Sequence, residues 1–259
     1  MLHLPAQPCS TAPSSPTAPS RSPPAESPSS SAGWSLNRPA RGEYVLLALE
    51  GIAGAGKSTL RDRLLKDTPT EGIALSHIGQ FSWLSRPATH TLIRLRAGHA
   101  GNADQAVEAA RQDLVLHARF NLAPALAQGP VLADRFTLST VCLLALLHQQ
   151  PVDKYVHHLV ELDSARPQLT LLLTTASDIC QARVSRRATA RRFNEYPEAA
   201  GRLTDLYHEA ANAWTKTTGL PVLHHPCTTR ADLDTLAAAC MDYLRAASGP
   251  TFPTTEVSR

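Results

Sequence analysis

The chain has 259 residues, 25 of them Lys or Arg against 22 Asp or Glu, and its net charge of +3 is too small to imply a nucleic-acid partner by itself. Its five cysteines, Cys9, Cys142, Cys180, Cys227 and Cys240, are scattered and form no C-x-x-C pair, which argues against a disulfide framework or a zinc site and for reduced, separately packed thiols. No apolar run approaches the length of a membrane span, so no membrane partner is expected.

Residues 1–41 are dominated by Pro, Ser, Ala and Thr. Such a stretch cannot bury enough apolar surface to offset its ordering entropy, and it is expected to be disordered. Met1-Leu2-His3-Leu4-Pro5 breaks off before any secretory apolar region, and Arg21, the one arginine before position 38, is too little basic charge for a transit peptide; the expected location is therefore cytoplasmic. Residues 42–247 suit one α/β domain with a substantial core, and 248–259 read as a loose tail.

The apolar run 44–49 predicts a buried strand. It leads into Gly51-Ile52-Ala53-Gly54-Ala55-Gly56-Lys57-Ser58-Thr59, which satisfies G-x-x-x-x-G-K-[ST], and Leu60, Leu64 and Leu65 continue as one helical face. In such a loop, backbone N–H groups at Gly51, Ala53, Gly54, Ala55 and Gly56 can close around phosphate oxygens, and the helix start near Lys57 adds a positive dipole end. Lys57 can reach the β- and γ-phosphates of ATP, Ser58 can ligate the Mg²⁺ that bridges them, and Thr59 completes the helix start.

A second strand is predicted over 72–78, then a loop through Gln80, Phe81 and Trp83, and a short helix over 89–96. Apolar residues recur every three or four positions over 103–128, the longest helix signal, which Gly129-Pro130 stops. A third strand over 131–133 carries Asp134-Arg135 at its carboxyl end. Helices over 141–148 and 152–162 follow, then a strand over 169–174, helices over 178–187 and 199–217, a strand over 221–224 and a closing helix over 231–246. Five strands alternating with helices predict a parallel sheet with right-handed crossovers and helices on both faces, a three-layer α/β P-loop fold.

Two further groups of residues carry candidate chemistry. At a strand end beside the phosphate loop, Asp134 can hold Mg²⁺ or accept a proton, while Arg135 can grip an anionic acceptor; a structural ion pair or helix cap is the competing reading. Arg183, Arg186, Arg187, Arg191 and Arg192 crowd ten residues. On a continuous helix Arg183, Arg187 and Arg191 would share one face, which is destabilising unless an anion compensates, so an Arg-rich lid over 184–197 closing on ATP is expected, with a solvated basic face as the alternative. For the acceptor, Gln80, Phe81, Arg86 and Arg119 offer amide, aromatic and guanidinium groups able to stack and hydrogen-bond a base; Phe81 and Trp83 can equally be core.

Leu49 to Thr59, the Asp134-Arg135-Phe136 corner and the segment ending in Arg192-Phe193-Asn194-Glu195 together resemble the thymidylate kinase and deoxynucleoside kinase group of P-loop enzymes, over residues 43–246. The resemblance implies ATP and Mg²⁺, a mobile lid and often a homodimer, with Lys57 and Ser58 at the phosphates and metal, Asp134 and Arg135 at metal and acceptor, and Arg187, Arg191 and Arg192 in the lid. It implies phosphotransfer from ATP to a nucleotide or nucleoside-like small molecule. Three positions depart from the pattern: Ala53 stands where thymidylate kinases carry the acid that holds the acceptor sugar, Thr174 where they tend to place Asp, and no Glu follows the second strand, where deoxynucleoside kinases place their base. A neutral alcohol must lose a proton, whereas an acceptor phosphate is already ionised, although Asp134 can still serve as base. A specialised metabolite kinase, an ATP-binding switch without a small-molecule acceptor, and a polynucleotide kinase are the competing expectations.

Overall fold

The computed structural model describes residues 45–248; the expected disordered stretch 1–41 and, beyond Ser248, the expected loose tail lie outside them. Among the described residues, β1 (Leu46–Glu50), β2 (Ser76–Gly79), β3 (Val131–Asp134), β4 (Leu169–Leu173) and β5 (Val222–His225) form one parallel sheet in the order β2-β3-β1-β4-β5. The chain belongs to the α/β class with a P-loop-type sheet order. β1 is central and buried along its length, which its Leu-Leu-Ala-Leu-Glu sequence requires, since a strand covered on both faces has no polar side to present. From β1 the chain fills one side of the sheet through β2 and β3 and the other through β4 and β5. The switch point, where α/β sheets collect ligands, thus falls at the carboxyl end of β1. Register opposes Leu49 to Asp134 and Asp134 to Gly79, so the phosphate loop, the Asp134-Arg135 corner and the loop after β2 leave the sheet side by side.

The helices are α1 (Lys57–Asp67), α2 (Arg86–Arg96), α3 (Ala103–His117), α4 (Ala123–Leu126), α5 (Thr137–His148), α6 (Val152–Leu159), α7 (Ser177–Ser185), α8 (Pro197–Thr218) and α9 (Arg230–Ser248). Several boundaries differ from expectation for identifiable reasons. α2 starts three residues early because the Ser85 hydroxyl accepts from Ala88 N and Pro87 suits a first turn. The helix expected over 103–128 is interrupted by a π turn at Ala118–Leu122; Pro124 has no N–H to donate, and the backbone widens ahead of it. α5 starts at Thr137 rather than 141 because the Glu50 carboxylate, reaching across from β1, accepts from Phe136 N at 2.9 Å and Ser139 N at 3.2 Å. No neighbour in the chain supplies that cap.

α5 is buried through nearly its whole length, packed by α6 and α8. Trp214 of α8 is the largest fully buried side chain, yet its indole N–H makes no hydrogen bond. Trp214→Ala is therefore expected to cost about 3–5 kcal/mol in urea unfolding through the cavity it leaves, and Trp214→Phe distinctly less.

Candidate active site

The phosphate loop depends on two close backbone approaches. Gly56 precedes α1 at φ 110°, a left-handed conformation that turns the loop sharply into the helix. A Cβ on Gly54, at φ 86°, would lie 2.4 Å from the carbonyl oxygen of Cys180 in α7, so any side chain there would push the loop off its support. Inside the loop Lys57 is buried and folds back, its Nζ donating to the carbonyl oxygens of Gly51 at 2.8 Å and Ile52 at 2.7 Å. Burial above all, with the charge of Arg135 beside it, holds the ammonium well below the usual lysine range. A phosphate in the loop would supply the counter-charge that the carbonyl dipoles only approximate. Ser58 and Thr59 are exposed on the first turn of α1, at the cleft.

Asp134 and Arg135 form the adjoining wall. Asp134 Oδ2 accepts from Arg61 Nη1 at 2.5 Å. Arg61 lies three residues after Ser58 on α1, so helical spacing already places it on the cleft-facing side; it was not among the expected site residues. Arg135 has φ 66°, rare for a residue with a side chain. Its Nη1 donates to Gly51 O at 2.9 Å, Tyr207 OH at 3.0 Å and Ser139 Oγ at 3.4 Å. The Ser139 hydroxyl in turn donates to the buried carboxylate of Glu50.

The loop after β2 brings Gln80 and Phe81 to the cleft, with Gln80 Nε2 donating to Thr140 Oγ1 at 3.1 Å. Phe81 is buried, whereas Trp83 is 42% exposed and lines the same cleft. Trp83 sits at φ 59°, a strained conformation for an aromatic residue, held by the buried carboxylate of Asp113. That carboxylate accepts from Ser82 N at 2.8 Å, Ser82 Oγ at 2.6 Å and Trp83 N at 3.1 Å. The Arg96 guanidinium stands 5.7 Å over the indole ring. The acceptor-side candidates Arg86 and Arg119 are not brought to the cleft: Arg86 is exposed at the first position of α2, and Arg119 lies on the outer surface against Phe120. The guanidinium at that side of the cleft belongs to Arg96, one helical stretch away from both.

The arginine-rich segment also departs from expectation. α7 ends at Ser185, so Arg183, Arg187 and Arg191 do not share a helical face. Two captures explain the break. Arg183 donates to the carbonyl oxygens of Gly54, Cys227 and Thr228 at 3.0, 3.0 and 2.7 Å, tying α7 to the phosphate loop and to the loop after β5. The buried carboxylate of Glu195 then accepts from Arg187 Nη1 at 3.1 Å and from Arg192 N at 2.9 Å, folding the segment between them into a loop. Arg187 and Arg192 line the cleft, and Arg191 turns away to Ser185 Oγ and a neighbouring groove.

The resulting cleft has a volume of about 1020 Å³, ample for a nucleotide. Among the described residues no cluster of three or more His, Cys, Asp or Glu could hold a metal ion. Ser58 and Asp134 do present hard oxygen donors to one cleft, the sparse set that suits Mg²⁺ held chiefly by phosphates and water.

The family model described as thymidylate kinase matches residues 49–220, spanning the phosphate loop, the Asp134-Arg135 corner and the arginine-rich segment. Compared with curated proteins one by one, the chain matches none.

Because Lys57 bonds only loop carbonyls here, Lys57→Ala is expected to leave the thermal midpoint within a few degrees while weakening a non-hydrolysable ATP analogue by a hundredfold or more, as loss of a buried charge-assisted contact requires. Unchanged affinity by calorimetry would remove Lys57 from the phosphate site.

Proposed function

The chain belongs to the thymidylate kinase family and is an ATP-dependent kinase, and from that premise we propose that its acceptor is itself a phosphate, carried on a nucleoside-like small molecule. The observation that carries this reading is the state of Arg96 and Arg192. Both line the cleft with Arg135, and neither forms an ion pair with a carboxylate among the described residues. Burial, with Arg192 and Arg135 adding like charge, lowers the pKa of Arg96 from its ordinary value. Crowded guanidiniums without an acid are costly unless an anion joins them. A phosphate dianion between Arg96, Arg135 and Arg192 meets that requirement, and a neutral alcohol does not.

The remaining roles follow from the same geometry. ATP lies with its triphosphate in the loop, where Lys57 leaves the Gly51 and Ile52 carbonyls for the β,γ oxygens. Arg187 and Arg192 close over the transferring group from the lid, excluding water and stabilising equatorial charge. Ser58 and Asp134 would hold Mg²⁺, which when bound neutralises the phosphate oxygens it bridges. Trp83 offers its exposed face to the acceptor's base, and Gln80 an amide at its edge. The acceptor phosphate oxygen attacks as an anion, so no general base is needed, consistent with Gln80-Phe81 following β2 without an acid and with Asp134 already engaged by Arg61. Ala53, a methyl group at the cleft, makes no polar contact to an acceptor sugar, and this separates the chain from an ordinary thymidylate-specific enzyme.

ADP release with ATP and a panel of nucleosides and nucleoside monophosphates tests this directly. Monophosphates are expected to stimulate turnover and the matching nucleosides are not; the reverse pattern would overturn the reading. In the stimulated reaction Arg96→Ala is expected to raise the acceptor KM by about tenfold or more, as for a lost charge-assisted hydrogen bond, with the ATP KM within twofold.

A further inference from the structure

We propose that Tyr207, Ser139 and Glu50 are positioning residues for Arg135, a buried relay that supplies the guanidinium with a remote counter-charge and fixes it at the mouth of the phosphate loop. The three come from α8, α5 and β1 and are all buried, so no local feature of the chain assembles them. None of them lines the cleft, and each touches it only through Arg135.

The direction of every hydrogen bond in the relay is determined by its ends. A guanidinium can only donate. Burial raises the pKa of Glu50, but its Oε1 accepts from two backbone N–H groups, at 2.9 and 3.2 Å, and these with the nearby charge of Arg135 act against burial and favour the carboxylate as the terminal acceptor. The Ser139 hydroxyl therefore donates its single proton to Glu50 Oε2. That leaves Ser139 Oγ as acceptor for the Tyr207 hydroxyl, 2.7 Å away, and the Tyr207 oxygen as acceptor for Arg135 Nη1 at 3.0 Å. The sequence guanidinium, phenol, alcohol, carboxylate is one continuous donor chain in which each hydroxyl is satisfied on both sides, and such chains polarise cooperatively in a low dielectric.

Arg135 needs this help for two reasons. Its backbone, at φ 66°, is in a conformation that persists only where the surroundings over-determine it. Its guanidinium also sits close enough to Lys57 to lower that ammonium's pKa, so it must be held in position against repulsion by another cation. Asp134, its chain neighbour, is committed to Arg61 and cannot serve. Glu50 is the carboxylate that reaches Arg135, through the Tyr207 and Ser139 hydroxyls in turn and by a longer direct bond from Arg135 Nη1 to Ser139 Oγ at 3.4 Å.

The inference rests on the kinase reading for its functional consequence, and a double-mutant cycle separates the two. Tyr207→Phe removes one oxygen and keeps the ring. It is expected to lower kcat/KM for the phosphate acceptor about tenfold, the scale of a hydrogen bond to a charged group, while the ATP KM stays within twofold and the thermal midpoint within a few degrees. In the Arg135→Ala background the same Tyr207→Phe change is expected to cost nothing further, because the group it positions is gone; Ser139→Ala should behave alike, and Ser139→Thr, which keeps the hydroxyl, should retain most activity. Equal losses in both backgrounds, or no loss from Tyr207→Phe in the native background, would overturn the relay. Should the unaltered protein phosphorylate no acceptor, the kinase reading fails, and the cycle is read instead in the dissociation constant of inorganic pyrophosphate by calorimetry. The same non-additivity is expected there, and additive losses overturn the relay independently of any turnover.

Discussion

Like charge crowded at the carboxyl end of one sheet is the constraint on which the rest of this molecule depends. Lys57, Arg61, Arg96, Arg135, Arg183, Arg187, Arg192 and Arg230 all line one cleft, and those of them that are buried must find a partner or bear the cost of burial. The fold meets the demand in several ways. Lys57 lies on loop carbonyls, Arg61 on Asp134, Arg183 on three backbone carbonyls and Arg187 on Glu195. Arg135 reaches a carboxylate only through hydroxyls. Arg96 and Arg192 form no ion pair with a carboxylate among the described residues, and in the proposed function they take the acceptor phosphate.

That distribution separates the structural cations from the functional ones better than their positions along the chain do. Arg183 opens the arginine-rich run, yet it acts as a brace between α7, the phosphate loop and the loop after β5, and the closeness of Gly54 to Cys180 shows how tightly that brace is drawn. Arg191, next to last in the same run, is not among the residues lining the cleft and bonds Ser185 instead. The arginine-rich segment is held in shape by Glu195, a buried acid that orders Arg187 and the Arg192 backbone together.

On the acceptor side the sheet register matters most. By opposing Asp134 to both Leu49 and Gly79, it sets the phosphate loop on one side of the Asp134-Arg135 corner and the loop after β2 on the other, and Asp113 then holds Ser82 and Trp83 from the neighbouring helix. The indole and Arg96 form one surface, apolar on one side and cationic at the edge.

The phosphate loop, the five strands, the parallel sheet and the strand-end Asp134-Arg135 pair were all legible in the sequence, because each rests on spacing within a few residues: glycines at a turn, apolar runs of strand length, a Lys-Ser pair at a helix start. What depended on distant residues was not. The early start of α5 comes from a cap supplied by Glu50 on β1, and the end of α7 from a carboxylate ten residues further on; neither leaves a local signal. Arg86 and Arg119 carried the right chemistry but do not line the cleft, while Arg96 reaches it from the last turn of α2, which packs on α3 and α5. Spacing along the chain therefore determined that this protein handles a nucleoside triphosphate. Which arginines find a carboxylate and which form no ion pair was decided only by tertiary structure, since a cation's partner is set by what packs around it and not by its neighbours in sequence.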